Sequence, residues 1–339
     1  MGNLCEGCEW WKPTHSTSLG EGSTFGGPYP LTANRVEGPH VTEGVVGPSA
    51  GGVSVRCWGV RGSVPTPGAD TVEFGGNTSC VELLAGGERL ILDAGTGIRL
   101  LGEKMALEEE LLEARVFLTH FHWDHIQGFP FFAPLHNPRF RLQIFGPQQH
   151  DVEIRTLFAR QLGPVYFPVP FRYVGAETSF IHFNEGTRQE GPFRIQALRM
   201  RHPSFTVGYR IEVEGQVVCY IPDHEIQGSE YAVDEDPSWR EAYATFVRGA
   251  DLLLHDAMYT EEEYPRRIGW GHSTYEQVIR CAIDEGVRRV LLFHHAPDRS
   301  DRELTELVER YRERYVTEAI QIDAASEGQV LLLGCEPSE

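Results

Sequence analysis

The sequence predicts a mixed α/β (α+β) domain in which two β-sheets are covered by outer helices. Three observations carry that expectation. Short segments rich in Val, Ile, Leu and Phe recur from Val53 onward, often bounded by Gly, Asp or Asn. Helical patterns are fewer, and they are spread among the strands rather than collected at one end. With 339 residues the chain can bury a core of that size.

Taken in order, residues 1–52 are rich in Gly, Pro, Ser and Thr and hold no apolar period long enough for a helix or strand. They read as a poorly ordered tail or wrapping arm, which Trp10 and Trp11 could dock on the folded domain, 53–339. Strands are expected at 53–58, 79–85, 88–93, 114–119, 140–145, 193–200, 207–214, 216–221, 251–255, 289–293, 319–323 and 329–333. Glu214-Gly215 joins two of them as a tight hairpin. Ser273-Thr274-Tyr275-Glu276 reads as a capping box, followed by Val278, Ile279, Ala282 and Ile283 on one face and stopped by Gly286. Ser300-Asp301-Arg302-Glu303 is a second box, leading into the amphipathic run Leu304, Leu307, Val308, Tyr311 and Tyr315. Further helices are expected at 151–162, 97–111 and 125–133.

Charge narrows the function classes. The formal net charge is −19, from 30 basic and 49 acidic residues. Such a surface repels a long polyanion unless a local basic patch overrides it. The one Arg-rich stretch, Arg302 to Arg314, is interleaved with Glu303, Glu306, Glu309 and Glu313, as on an ion-paired helix face. No long nucleic acid is therefore expected as substrate. No apolar run reaches membrane-span length and the N-terminus has no signal-peptide pattern, so a cytoplasmic protein without a membrane partner is expected. The seven cysteines are scattered apart from Cys5-Glu6-Gly7-Cys8, which lacks a second ligand pair and reads as reduced thiols.

The chemistry concentrates in Thr119-His120-Phe121-His122-Trp123-Asp124-His125. His120 and His122 follow the apolar strand Val116-Phe117-Leu118, and residues two apart on extended backbone point the same way. Both imidazoles can thus reach one ion, and Asp124 and His125 in the following turn can supply a second. Imidazole with carboxylate suits zinc, manganese or iron rather than calcium or copper(I). Packed together without a cation, these groups would be desolvated with few partners.

The His-x-His-x-Asp-His pattern resembles the signature of the metallo-β-lactamase superfamily. That resemblance implies an αββα four-layer sandwich with a dinuclear site at the sheet edges, over about Val53 to the C-terminus. It implies that His120, His122 and His202 hold one ion, that Asp124, His125 and His294 hold the other, and that Asp223 bridges. His202, Asp223 and His294 each follow a predicted strand. His295 is the neighbouring alternative to His294, which emerges first and matches the family position. Asp93, in Asp93-Ala94-Gly95-Thr96-Gly97, matches an Asp that supports the metal loop. His224 reads as orienting a neighbour, His255 could support the ligands, and His15, His40, His136, His150 and His182 carry no pattern.

Two such cations acidify a water between them and draw charge from a substrate oxygen, which suits a phosphodiester, a thioester or an amide. An Asp at 223, where many β-lactamases have Cys, resembles the esterase and phosphodiesterase relatives. Gly271-His272-Ser273-Thr274 resembles the His-Ser-Thr motif of the tRNase Z and cyclic-phosphodiesterase branch, where the His contacts the phosphate and can protonate the leaving oxygen. Ahead of a helix, His272 also stands where an anion is favoured. Asp256 resembles the acidic partner of that His and could orient and charge it. Asp124 counts as both ligand and catalytic group. The projecting arm that tRNase Z inserts between the middle His and the bridging Asp has no counterpart between His202 and Asp223. The closer resemblance is to compact enzymes that open cyclic phosphates, such as phosphoribosyl 1,2-cyclic phosphate diesterases. Trp58-Gly59-Val60-Arg61-Gly62-Ser63-Val64-Pro65 and Gly75-Gly76-Asn77-Thr78-Ser79-Cys80 also resemble that group; Arg61 could face substrate or serve as a structural ion-pair residue. The expected function is metal-dependent hydrolysis of a small-molecule, cyclic phosphodiester, by a chain whose relatives often form homodimers. The alternatives are a thioester or lactone hydrolase like glyoxalase II, a tRNase Z-like nuclease lacking the arm, and a non-catalytic metal-binding sensor.

Overall fold

The computed structural model describes residues 52–109, 112–149, 151–227 and 238–334. The chain divides into two units, Met1–Val46 and Gly47–Glu339, and every described residue belongs to the second. The tail expected at 1–52, with Cys5, Cys8, Trp10, Trp11, His15 and His40, lies outside the described residues but for Gly52, and so does His150.

Two seven-stranded sheets form the framework. The first contains β1 (Val53–Gly59), β2 (Cys80–Ala85), β3 (Glu88–Leu92), β4 (Glu113–Phe117), β5 (Arg141–Gly146) and β6 (Glu177–His182), in that spatial order. The second contains β7 (Gly186–Glu190), β8 (Phe193–Arg199), β9 (Val207–Val213), β10 (Gln216–Ile221), β11 (Leu252–Asp256), β12 (Arg289–Phe293) and β13 (Gln321–Ala324), again in order. β14 (Val330–Leu333) returns to the first sheet and pairs antiparallel with β1. In each sheet an antiparallel half passes into a parallel half: β3 to β6 are parallel in one, β10 to β13 in the other. β11 is buried along its whole length, as a central parallel strand must be.

The inner faces of the sheets pack on each other through residues such as Val55, Leu83, Phe117, Tyr209, Val218 and Leu254. The Phe117 and Phe145 rings stack there with centroids 4.3 Å apart. Outside the first sheet, Ile98, Leu101 and Met105 of α1 (Ile98–Met105) and Ile154 and Phe158 of α3 (Ile154–Gln161) share a core with Ile91, Val116 and Ile144. Outside the second sheet, α4 (Trp239–Val247), α5 (Tyr275–Asp284) and α6 (Asp301–Arg314) pack on Cys219, Leu253 and Val290. The result is the expected four-layer αββα sandwich. Among the described residues no helix is long and apolar enough to cross a membrane.

All twelve expected strands form, with ends displaced by at most two residues. β6 and β7 were not anticipated. They are the outer strands of the two sheets, half-exposed and polar (Glu-Thr-Ser-Phe-Ile-His and Gly-Thr-Arg-Gln-Glu), the composition that protects an open edge. The helix expected at 125–133 is instead the single turn α2 (Trp123–Ile126) and two 3-10 turns, Phe129–Phe131 and Ala133–His136, where Pro130 and Pro134 supply no N–H for a continuous helix. The first capping box is shifted by one residue: Thr274 is the N-cap and Gln277 its reciprocal partner. Ser273 Oγ is committed elsewhere, donating to the His224 carbonyl at 2.6 Å. The Ser300–Glu303 box forms as read.

Candidate metal and catalytic centre

The candidate residues emerge from the carboxyl ends of parallel strands, where loops of an α/β sheet converge. β3 leads to Asp93, β4 to His120 and His122, β10 to Asp223, and β12 to His294, while Asp256 ends β11. His202 follows β8, and the single turn α2 presents Asp124 and His125. Asp93 and His294 both adopt left-handed backbone, with φ of 60° and 58°. Such strain in non-glycine residues is held only where surrounding contacts fix it.

These side chains meet in one cluster. His120, His122 and His202 could hold one ion, and Asp124, His125 and His294 another. Asp223 shares a candidate group with His120 and His125, and a second with His202 and His272. Asp223 Oδ2 lies 2.9 Å from His125 Nε2 and 3.5 Å from His294 Nε2, while its Oδ1 is 3.7 Å from His202 Nε2. Asp124 Oδ2 lies 3.1 Å from His294 Nε2 and accepts the Ser63 N–H at 2.7 Å.

The supporting hydrogen bonds set the imidazole tautomers. His125 Nδ1–H donates to Asp93 Oδ2 at 2.8 Å, and His202 Nδ1–H donates to the Gly271 carbonyl at 3.0 Å. His120 Nδ1 lies 3.1 Å from Thr119 Oγ, whose hydrogen points at Asp93. In its neutral form each ring then presents a bare Nε2 to the cluster. The Nε2 atoms of His120 and His125 and Oδ2 of Asp223 are buried with no hydrogen-bond partner.

Electrostatics point the same way. Asp93, Asp124, Asp223 and Asp256 are buried, and among the described residues their ion-pair partners are all histidines. Burial alone would raise the pKa of Asp223, but His294, His125, His120 and His202 hold it well below the carboxylate range. Burial holds His120 well below its usual value and lowers His202 to about 3. Burial would lower His125, but Asp124, Asp223 and Asp93 hold it well above its usual value. A buried cluster of imidazoles and carboxylate oxygens of this kind makes a donor set for divalent cations. The residues therefore fit the dinuclear site that the resemblance implies.

Beside this cluster, His272 Nδ1 is 2.8 Å from Asp256 Oδ2 and 3.7 Å from Asp223 Oδ1. Burial disfavours a charged His272, but Asp256 and then Asp223 outweigh it and raise the pKa to about 9. The His272 ring stacks 5.1 Å from that of His294.

All seven sequence-predicted ligands and the His272–Asp256 pair thus converge. His295 does not: its Nε2 donates to the Ala325 carbonyl at 2.8 Å, on the far side of the turn from His294. Arg61 does not face the centre either. It is fully buried, its Nε donates to the Gly75 carbonyl and its Nη1 to those of Ala296 and Arg299, so the structural reading replaces the substrate-facing one. His224 Nδ1 accepts the Arg201 N–H, and His255 bonds Tyr243 OH and the Asp256 carbonyl. Glu225, fully buried two residues beyond Asp223, was missed; an acidic residue directly after a strand-end Asp-His was the available signal.

Comparison with known proteins bears on the family and the fold. Residues 88–295 match the model of the beta-lactamase superfamily domain. The ribonuclease Z of Thermoplasma volcanium is 25% identical over 244 residues, covering 60% of this chain and 77% of that protein. A crystal structure of a diphosphatase from the PhnP family superposes with a TM-score of 0.58 at 18% identity, over 82% of this chain and 97% of that one. The short form of human tRNase Z gives 0.57 at 18% identity, over 82% and 98%. At those identities the superpositions speak for the fold.

Proposed function

This chain belongs to the beta-lactamase superfamily and is a metal-dependent hydrolase, and on that premise we propose that it stands with the ribonuclease Z and PhnP branch and hydrolyses a small, cyclic phosphodiester. The observation that carries the proposal is the His272–Asp256 pair, a proton donor held by a buried carboxylate at the edge of the candidate metal cluster. His120, His122 and His202 would hold one cation and Asp124, His125 and His294 the other, with Asp223 between them. Zinc suits the donors best, with manganese or iron as alternatives. When bound, the cations supply Lewis acidity toward a phosphoryl oxygen and an acidified water near neutral pH. His272 gives its proton to the departing alkoxide, and Asp256 orients the imidazole and keeps it charged until then. Asp124, whose Oδ2 accepts the Ser63 N–H, would help hold the second cation and take the one proton that the attacking water loses.

What joins His202 to Asp223 supports a small substrate. That segment is β9, the Glu214-Gly215 turn and β10, with no projecting arm to grip a folded RNA. The net charge of −19 adds a general repulsion toward long polyanions. A second reading, RNA 3′-end processing, draws support from the relatives named ribonuclease Z.

A panel containing bis-p-nitrophenyl phosphate, a ribose 1,2-cyclic phosphate, nucleoside cyclic phosphates and a precursor tRNA, given to the metal-loaded chain, separates the readings. Turnover of the cyclic esters without cleavage of the tRNA is expected. Cleavage of the tRNA alone would replace the first reading with the second. His272→Ala should lower turnover of the cyclic ester by roughly 10²- to 10⁴-fold while both ions remain bound.

A further inference from the structure

We propose that Glu225 is a positioning residue that fixes the loop carrying His272; the proposal rests on the role given to His272 above. The segment ahead of His272 is poorly equipped to hold itself in place. Ile268 and Trp270 are 55% and 58% exposed, so they add little core packing. Gly269 and Gly271 flank Trp270 with φ of +85° and +88°, and glycine in a loop loses more conformational freedom on ordering than any other residue.

Glu225 supplies the missing anchor. Its carboxylate accepts the Gly269 N–H at 3.0 Å, the Gly271 N–H at 2.9 Å and the Tyr264 hydroxyl at 2.7 Å. Its own N–H donates to the Arg201 carbonyl at 3.0 Å. One residue therefore ties together the segments bearing His202, Asp223 and His272. The Gly271 carbonyl also accepts His202 Nδ1–H. The approach leaves no room for a side chain: a Cβ on Gly271 would stand 2.3 Å from His202 Nδ1. A buried carboxylate is costly unless charge-assisted hydrogen bonds offset it, and here the donors are the amides whose placement the site requires.

The test is Glu225→Gln in the full, metal-loaded chain. Both carboxylate oxygens face donors, so the amide loses contacts whichever way it turns. Hydrogen exchange read by mass spectrometry should quicken in peptides covering Gly269 and Gly271, with bound metal unchanged. Turnover of a cyclic ester, whose alkoxide needs a proton, should fall at least about tenfold. Bis-p-nitrophenyl phosphate, whose phenolate leaves unaided, should change by no more than about twofold to threefold on the same reasoning. Glu225→Gln combined with His272→Ala should be no slower than His272→Ala alone. Tyr264→Phe, which removes one donor, should show the same leaving-group selectivity in weaker form and replaces Glu225→Gln if that chain fails to fold. Unchanged exchange at Gly269 and Gly271, or an equal fall on both esters accompanied by metal loss, would overturn the proposal. Failure of the wild-type chain on every phosphodiester would instead remove the function assigned to the site, leaving the exchange result as the measure of the anchor.

Discussion

Asp93→Asn isolates the support beneath the metal cluster, because it changes one atom in a residue that touches no candidate cation position directly. Asp93 Oδ1 accepts the Thr119 N–H at 2.7 Å, and Oδ2 accepts from Thr119 Oγ and Tyr220 OH at 2.9 Å and from His125 Nδ1 at 2.8 Å. An asparagine must turn its NH₂ toward one of these donor sets. Facing Thr119, it leaves a buried backbone N–H without an acceptor, at about 1–3 kcal/mol. Facing His125, it donates to Nδ1 and drives the imidazole into the other tautomer, with a hydrogen on Nε2 where a lone pair is needed. The second outcome weakens the ion held by Asp124, His125 and His294 through the tautomer, and the first through loss of the carboxylate charge that raises the basicity of the His125 ring. Loss of such a supporting contact costs about 10- to 100-fold in metal affinity, or about 1.4–2.7 kcal/mol. The assay is competition against a chromogenic chelator, with elemental analysis of the bound stoichiometry. One site should weaken by that factor, and the site of His120, His122 and His202, which Asp93 reaches only through Thr119 Oγ, should weaken less. Two ions bound with wild-type affinity would refute the argument that Asp93 sets the His125 tautomer.

Two further outcomes test the energetics. Chelation should abolish turnover and lower the denaturation midpoint, since an ion bound only by the folded chain stabilises it by about 2.7 kcal/mol at a hundredfold excess over its Kd; an unchanged midpoint after verified metal removal would contradict the cluster as a binding site. Ser300→Ala removes the cap of α6 and should cost about 1 kcal/mol in chemical denaturation, with kcat unchanged; a matching fall in kcat would show that this helix end communicates with the centre.

Much of this was legible in the sequence because the ligands sit at strand ends. Asp223 and His294 each follow an apolar run and His202 an alternating one, and such a pattern fixes where a strand stops even when its partners are unknown. The choice between His294 and His295 required coordinates: the left-handed backbone at His294 turns its ring inward and sends His295 to the Ala325 carbonyl. Arg61 was ambiguous for a related reason, since a buried guanidinium serving carbonyls looks, in one dimension, like one awaiting a phosphate. β6 and β7 escaped because an edge strand buries only part of its surface and carries no apolar period. Glu225 was missed because its partners are backbone amides some forty residues away, at Gly269 and Gly271, and peptide groups leave no mark on residue identity.

The pairing of β14 with β1 bears on how the chain matures. Val53, Ser54, Val55 and Arg56 are flanked on one side by Leu333, Leu332, Leu331 and Val330, residues made nearly three hundred positions later. During synthesis β1 must therefore wait with one margin uncovered until the last described strand has left the ribosome. Contacts so distant in sequence close slowly, since their loop entropy is lost before any pairing is gained. A nascent chain stalled before β14 would lack that pairing and could offer the margin to other chains.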